Sequence, residues 1–233
     1  MNAKPTDPSP TAPRGKATAG GQSALLDQAK RRLLGNYRPA PVVMVEGRGC
    51  EVFDTEGHRY LDFCAGVATV SLGHGHPELT RAIADQAGQL MHVSNYVYNL
   101  ENIELADELC VATGFDRAFF CNSGAEANEG LFKLARRHFH ERRDPRRQRV
   151  IAFERAFHGR TMGALSLTGN PLHREGFGPL LTGIEHLRYG DLGAVEQVMG
   201  PDVAAVLVEP VQGEGGVFPA PEGFLPGLRA ACD

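Results

Sequence analysis

Residues 118–138 read AFFCNSGAEANEGLFKLARRH, and the order of features in this run indicates an α/β fold. Residues 118–121 are an apolar run typical of a buried strand, and the later part, EGLFKLARRH, carries apolar side chains at helical spacing. A turn containing Gly124 separates the two. Further strand candidates follow at residues 150–153 and 203–208, so the sequence predicts an α/β layer with a mainly parallel sheet.

The turn at Ser123 has two interpretations. Ser123 and Glu126 match the capping box S-x-x-E, in which each side chain satisfies a backbone N–H at the start of the helix. The same turn also directs unpaired N–H groups, and the positive end of the helix dipole, at one point where a phosphate can bind. Capping boxes are the commoner of the two, and the residues alone leave both interpretations open.

The N-terminal part of the chain has a different pattern. Residues 25–34 predict a short amphipathic helix. Three β-rich runs follow, at residues 42–46, 50–54 and 58–63, and Gly57 provides a tight turn between the last two. These runs predict a small antiparallel meander.

These patterns predict three parts of the chain. Residues 1–22 are rich in Pro, Ala, Thr and Gly and are predicted to be a disordered tail. Residues 23–78 hold the first helix and the meander and are predicted to form part of a small domain. Residues 79–233 begin with two predicted helices, at residues 79–90 and 102–111, and are predicted to form the large domain.

Composition narrows the classes of function. Lys and Arg number 24 against 28 Asp and Glu, a net charge of −4, which does not favour a nucleic-acid partner. Five cysteines, odd in number and without a C-x-x-C pair, suit a reduced cytoplasmic protein. No apolar run is long enough for a membrane span, so no membrane partner is predicted.

Metal and nucleotide sites are not predicted either. The histidine pairs His74/His76 and His138/His140 belong to no zinc-ligand pattern such as H-E-x-x-H. The sequence has no G-x-x-x-x-G-K-[ST] loop, and its nearest approaches to G-x-G-x-x-G lack the third glycine. Neither ATP nor NAD is therefore predicted.

Two loops after strand candidates carry side chains suited to ligand binding. In one loop, Phe157 can stack on a planar ring and Arg160 can bind a carboxylate through two parallel hydrogen bonds. In the other, Glu209 ends a strand and Glu214 follows in a glycine-rich loop, at the sheet edge where α/β folds bind ligands. A packed phenylalanine, a surface arginine and a plain polar loop explain the same residues, so both interpretations stay open.

Seven stretches, taken together and in order, carry a resemblance to a known family: NYRPAPVV, DTEGHRYLDFCAGVA, LGHGHPEL, HVSNYVYN, FFCNSGAEANEGLFKLARRH, FHGRTMGALSLTG and EPVQGEGGV. From about Gly35 onward, the chain resembles the class III aminotransferases, which depend on pyridoxal 5′-phosphate, and most closely their acetylornithine aminotransferase group. The resemblance implies a fold type I transferase, with a three-layer large domain after a small N-terminal α+β segment.

The resemblance implies a cofactor site built from three segments. The S-G-A turn would bind the phosphate through backbone N–H groups and the serine hydroxyl. An aromatic ring would stack on the pyridine ring, a histidine would line the pocket, and a glutamate would lie near the cofactor. In that order, these cofactor-binding residues are Ser123, Gly124, Ala125, Phe157, His158 and Glu209.

The resemblance also implies three substrate-binding residues. Arg160 would hold a carboxylate of the amino-acid substrate, and Tyr37 falls where relatives place a substrate-contacting tyrosine. Glu214 resembles the acid that pairs with a second arginine until an acidic co-substrate needs that arginine. Val67 stands where ornithine δ-aminotransferases are expected to have a pocket tyrosine, which favours the acetylornithine group.

The function implied is transfer of an amino group from N-acetylornithine, or a similar ω-amino donor, to 2-oxoglutarate in arginine biosynthesis. Family members are typically homodimers, so a homodimer in the cytoplasm is expected. Other donors, such as succinylornithine, 4-aminobutyrate or putrescine, remain open. So does a non-catalytic chain that binds an anion or a partner subunit.

The resemblance requires a Schiff-base lysine and an aspartate that pairs with the pyridinium nitrogen. The lysines of the sequence are Lys4, Lys16, Lys30 and Lys133, and none matches that position. The expected aspartate is not found either. The sequence therefore predicts an N-terminal fragment that holds no catalytic residue and is inactive alone.

Overall fold

The computed structural model describes residues 21–233, which form two compact units that meet in sequence between Leu100 and Glu101. The predicted disordered tail lies outside the described residues, except for Gly21 and Gln22, which begin the first helix. The predicted division at residues 78 and 79 stays a prediction. No helix within the described range is both long enough and apolar enough to cross a bilayer.

The first unit contains the predicted antiparallel meander, in which the strand Glu51–Asp54 pairs with Met44–Arg48 on one side and with Arg59–Leu61 on the other. The predicted turn at Gly57 is confirmed, since its φ is 83°. A short 3-10 turn, Ser94–Tyr96, precedes the end of this unit. Its other elements are α1 (Gly21–Arg32), β1 (Met44–Arg48), β2 (Glu51–Asp54), β3 (Arg59–Leu61), α2 (Ala65–Ala68) and α3 (Pro77–Gln89).

The side chain of Asp54 closes the β2–β3 turn and is 1% exposed. Its Oδ1 accepts the backbone N–H groups of Glu56 and His58, at 2.9 and 2.8 Å. Its Oδ2 accepts from His58 Nδ1 and from the Tyr60 hydroxyl, both at 3.0 Å. Asp54, Glu56 and His58 could each offer a metal one ligand atom. Both Asp54 oxygens are already engaged by protein donors, so a structural role accounts for the group.

Acid is expected to weaken this turn. Burial opposes ionisation of Asp54, but the hydrogen bonds from His58, Glu56 and Tyr60 outweigh it and lower the pKa of Asp54 from 3.8 to about 2. The stability that Asp54 contributes is therefore present above pH 3.8 and lost as the pH falls toward 2. We expect the Tm of the wild-type chain to fall over this interval more steeply than the Tm of Asp54→Asn. The matched control Asp85→Asn, at an exposed position of α3, should keep the pH dependence of Tm seen in the wild type. Equal pH dependence of Tm in all three proteins would show that Asp54 is not its origin.

The second unit alternates helices and strands, as predicted. In its sheet the central strand, Arg149–Phe153, pairs in parallel with Ile184–Leu187 on one side and with Val203–Val206 on the other. Its elements are α4 (Leu100–Thr113), α5 (Gly124–Glu141), β4 (Arg149–Phe153), α6 (Met162–Leu167), α7 (Pro171–Arg174), β5 (Ile184–Leu187), α8 (Leu192–Val198), β6 (Val203–Val206), β7 (Val211–Gln212), β8 (Phe218–Pro219) and α9 (Phe224–Cys232).

Helices cover both faces of this sheet. Ile151 of β4 packs in a buried cluster with Val195 of α8 and with side chains of α9. Its neighbour Val150 belongs to a second cluster, with Phe132 of α5 and Leu167 of α6. Successive residues of a strand point to opposite faces, so the two clusters lie on opposite sides of β4. The predicted three-layer α/β arrangement with a parallel sheet is confirmed.

The predicted strand at residues 118–121 is wrong. These residues form no ladder with any described strand, and Phe119 and Phe120 are 75% and 40% exposed. An apolar run identifies a segment that can be buried, whereas a strand also needs a neighbour for its backbone hydrogen bonds. Among the described residues, this segment has no such neighbour.

Candidate functional site

The serine half of the capping box predicted at Ser123 is present at the start of α5, and the glutamate half is shifted by one residue. Ser123 is the N-cap, with extended φ and ψ of −156° and 160°, and its hydroxyl accepts the backbone N–H of Glu126 at 3.2 Å. The carboxylate of Glu126 accepts the backbone N–H of Asn122 at 2.7 Å. This return bond goes to the residue before the N-cap, so it holds the chain entering the turn as well as the turn itself.

The cap leaves donors of the turn available to a ligand. The first N–H groups of a helix have no intrahelical acceptor. Within residues 21–233, no acceptor is recorded for the N–H groups of Gly124 and Ala125. A Cβ atom added at Gly124 would meet no atom within 4 Å beyond the adjacent residues and the backbone of its own helix, so the turn opens onto free space. The residues present therefore fit a phosphate group.

The loop of residues 157–160 packs directly against this turn. Gly159 has a φ of 131°, and a Cβ placed on it would lie 3.0 Å from the Cα of Ala125. Asn128 Nδ2 donates to the carbonyl oxygen of His158 at 2.7 Å. The positive φ and the close approach both require glycine at position 159. Two segments that are separate in sequence thus form one site.

Phe157 and Arg160 lie side by side in this loop. The guanidinium carbon of Arg160 is 5.6 Å from the centre of the Phe157 ring, and the Arg160 side chain is exposed. The backbone N–H of Phe157 donates to Glu209 Oε2 at 3.2 Å. The structure therefore brings Phe157, Arg160 and Glu209, which follows β6 by three residues, close together.

The surroundings of Glu209 raise the pKa of its carboxyl. Burial raises the pKa of Glu209, the N–H of Phe157 opposes that shift, and the charge of Glu214 adds to it. The Tyr189 hydroxyl donates to the backbone oxygen of Glu209 at 2.9 Å and so holds the backbone of the segment that follows β6. Glu214 and Phe157 line a common cavity of about 540 Å³, whose lining does not include the Ser123 turn, Arg160 or Glu209.

His158 is buried, with 5% exposure, and its ring atom Nε2 has no hydrogen-bond partner in the described part of the chain. Burial, together with the charge of His186, lowers the pKa of His158 to about 4. The ring is therefore neutral at pH 7 and offers no positive charge to a phosphate. That His158 lines the cofactor pocket stays a prediction.

Tyr37 and Val67 belong to the first unit. Their side chains are 72% and 86% exposed, and Val67 adopts a φ of 58°, which is strained for a β-branched residue. The substrate contact of Tyr37 stays a prediction. So does the preference for the acetylornithine group that Val67 suggests.

A comparison with known families identifies the chain. The sequence profile of the family described as aminotransferase class-III matches residues 35–233. The chain belongs to the class III aminotransferases. Class III aminotransferases depend on pyridoxal 5′-phosphate, and the open turn at Ser123 lies within the matched region.

Named relatives agree with this family. The chain is 51% identical to the acetylornithine aminotransferase of Myxococcus xanthus over 210 residues, which are 90% of this chain and 52% of that protein. It is 45% identical to the succinylornithine transaminase of Salmonella typhimurium over 84% of this chain and 48% of that protein. This class III aminotransferase chain thus spans about half the length of the curated relatives it matches.

Solved structures place the same chain in fold type I, which confirms the predicted fold class. The ornithine aminotransferase of Toxoplasma gondii, with partial occupancy of pyridoxal phosphate at its active site, superposes with a TM-score of 0.86. The two sequences are 34% identical, and the match covers 91% of this chain and 50% of that chain.

Proposed function

We propose that this chain supplies the phosphate turn and the ring-stacking loop of a pyridoxal 5′-phosphate-dependent aminotransferase. The observation that carries the proposal is the open turn of Ser123, Gly124 and Ala125, packed against the loop that bears Phe157. The turn binds the cofactor phosphate, and Phe157 stacks on the ring. The cofactor, when bound, supplies the electron sink for transfer of an amino group.

We assign the substrate side of the site to Arg160, Glu214 and Tyr37. Arg160 is exposed beside the Phe157 ring, where its guanidinium can hold a substrate carboxylate through two hydrogen bonds. Glu214 adds a negative charge at the cavity that Phe157 also lines. The donor proposed is N-acetylornithine or a similar ω-amino compound, the acceptor is 2-oxoglutarate, and the pathway is arginine biosynthesis. The name of the Myxococcus xanthus relative supports this donor.

Succinylornithine is a second candidate donor. The chain is 45% identical to a succinylornithine transaminase, a level near that of the acetylornithine enzymes. Both donors carry an acylated amine and a carboxylate that Arg160 could hold. Glutamate formation from 2-oxoglutarate with each donor, measured on the full-length protein, distinguishes them.

The proposed assembly is a cytoplasmic homodimer. Helix α4 exposes the apolar side chains Ile103, Leu105 and Leu109, at 53%, 47% and 41%, and has no buried residue, which supports a covering partner. The free cysteines support a reducing compartment.

Binding of pyridoxamine 5′-phosphate tests the cofactor site. This compound has no aldehyde to react with lysines, and its fluorescence is easily followed in a chain that lacks tryptophan. The 233-residue chain is expected to bind it and to bind pyridoxamine, which lacks the phosphate, at least about tenfold more weakly. Gly124→Val fills the open space outside the turn and should weaken phosphate-form binding by about tenfold or more.

The matched control is Gly193→Val, in the first turn of α8, where a Cβ would be 3.6 Å from the Asp191 carboxylate. It should leave the affinity unchanged. Equal affinity for the two pyridoxamine forms, or an unaltered Kd in Gly124→Val, would count against the cofactor site.

A further inference from the structure

The carboxylate of Glu129 collects three hydrogen bonds from one distant loop. Its Oε1 accepts the hydroxyl of Thr161 at 2.6 Å. The same oxygen accepts the backbone N–H groups of Gly163 at 2.8 Å and Ala164 at 3.3 Å. Glu129 lies on α5, the helix that starts at the phosphate turn. The three groups that donate to it lie at the start of α6.

This carboxylate replaces the cap that α6 lacks. Thr161 is the N-cap residue of α6, but its side chain makes no cap hydrogen bond to its own helix. The hydroxyl turns to Glu129 instead, and Glu129 also takes the N–H groups that a normal cap would satisfy. The contact leaves no spare room, because a Cβ on Gly163 would lie 2.7 Å from the carboxylate carbon of Glu129.

Glu129 belongs to a stripe of α5 that faces the ring-stacking loop. Ala125, Asn128 and Glu129 are spaced three and four residues apart and therefore share one helix face. Ala125 touches Gly159, and Asn128 binds the carbonyl oxygen of His158. The stripe runs directly from the phosphate turn, so the loop is attached to the same rigid helix that presents the phosphate donors.

We infer that Glu129 is a positioning residue, which fixes residues 157–164 against α5 so that the Phe157 ring stands at a set distance from the phosphate turn. Its role in cofactor binding rests on the function proposed above, whereas the attachment itself does not. Glu129 acts through hydrogen bonds that the loop donates. If the Phe157 ring is already held in place, less conformational entropy is lost when the cofactor binds. The contribution of ring stacking to the affinity for the cofactor therefore depends on Glu129.

Amide hydrogen exchange tests the attachment without any cofactor. Glu129→Leu keeps the side-chain size but removes the acceptor, and it should raise exchange at Gly163 and Ala164 by about tenfold. Glu129→Gln keeps one acceptor oxygen and should stay near the wild-type rates. The matched control Glu141→Leu removes an exposed glutamate of the same helix, whose partner is Arg137, and should not change exchange at these two amides.

Ligand selectivity separates positioning from general loss of structure. In Glu129→Leu, the Kd for pyridoxamine 5′-phosphate should rise about tenfold, while the Kd for inorganic phosphate, followed by phosphorus NMR, should change less than about twofold. The phosphate turn is intact in this variant, and only the ring contact is loosened. Glu129→Gln should restore the wild-type ratio of the two affinities.

Each outcome decides one question. Unchanged exchange in Glu129→Leu overturns the attachment, and parallel changes of both affinities, or none, overturn the positioning role. A wild-type chain that binds neither ligand rejects the cofactor site and the positioning role together, while exchange still decides the attachment. If Glu129→Leu fails to fold, Thr161→Val takes its place, because it removes only one of the three donors to Glu129. It should raise both the amide exchange and the Kd for pyridoxamine 5′-phosphate by about threefold.

Discussion

Replacing Gly169 with alanine is expected to lower the free energy of unfolding by about 3 kcal/mol or more. A Cβ at this position would lie 2.8 Å from the Cα of Glu154 and 2.9 Å from the backbone nitrogen of Arg155, and closer still to the carbonyl oxygen of Phe153. All three atoms belong to the backbone at the end of β4, so no side-chain rotation can relieve the overlap. The N–H of Gly169 also donates to the carbonyl oxygen of Ala156 at 2.9 Å, and Ala156 directly precedes the ring-stacking loop.

Urea denaturation followed by circular dichroism measures this effect. Gly193→Ala in α8 is the matched control, since its Cβ would make only an ordinary contact, 3.6 Å from Asp191. That variant is expected to be neutral or up to about 1 kcal/mol more stable, because alanine favours the helix over glycine. A Gly169→Ala midpoint close to that of Gly193→Ala would show that the end of β4 can move.

Acidification from pH 7 to pH 5 is expected to cost the second unit about 2 kcal/mol through His158 alone. Burial and the charge of His186 lower the pKa of His158 from 6.5 to about 4. The unfolded chain, with the ordinary value, takes up the proton first, so this stability is present above pH 6.5 and decreases on acidification. The loss reaches about 3 kcal/mol near pH 4, where the folded state is protonated as well.

Denaturation at pH 7 and pH 5 isolates this contribution in His158→Leu, which replaces the ring with an apolar side chain. The stability of this variant should fall about 2 kcal/mol less than that of the wild type over the interval. His186 contributes in the same direction, because burial and Arg174 lower its pKa as well, and it is unchanged in the variant. His140→Leu, on the exposed side of α5, should behave like the wild type. If the stability of the wild type and of His158→Leu fell equally between pH 7 and pH 5, His158 would not be the origin of the loss.

Local features of the fold could be predicted from the sequence. The capping box at Ser123 and the turn at Gly57 each depend on residues within a few positions of one another, so their patterns are visible in the chain. Pairing between distant segments is not visible in this way. Residues 118–121 have a strand's composition but no described neighbour, and β5 escaped prediction because Glu185 and His186 interrupt its apolar run.

The same limit applies to the candidate site. The sequence suggested Ser123, Phe157 and Glu209 separately, and the structure brings their segments together. It did not suggest Glu129, whose hydrogen-bond donors begin 32 residues later. A signal did exist, since Asn128 and Glu129 follow Ala125 on one helix face. What that face contacts is determined by tertiary packing, which a single sequence does not reveal.

The parallel pairing of β4 has a consequence for synthesis on the ribosome. Arg149 at the start of β4 pairs with Val203, roughly fifty residues later, so β4 cannot complete its sheet until that segment has emerged. At about 5–20 residues per second, translation leaves an interval of roughly 3–10 s. Val150, Ile151 and Phe153 are at most 2% exposed in the folded chain. Until Ile184–Leu187 has emerged and paired with β4, a stalled nascent chain would offer chaperones an apolar strand with both edges open. A chain stalled after that point, but before Val203, would leave the β6 edge of this strand open.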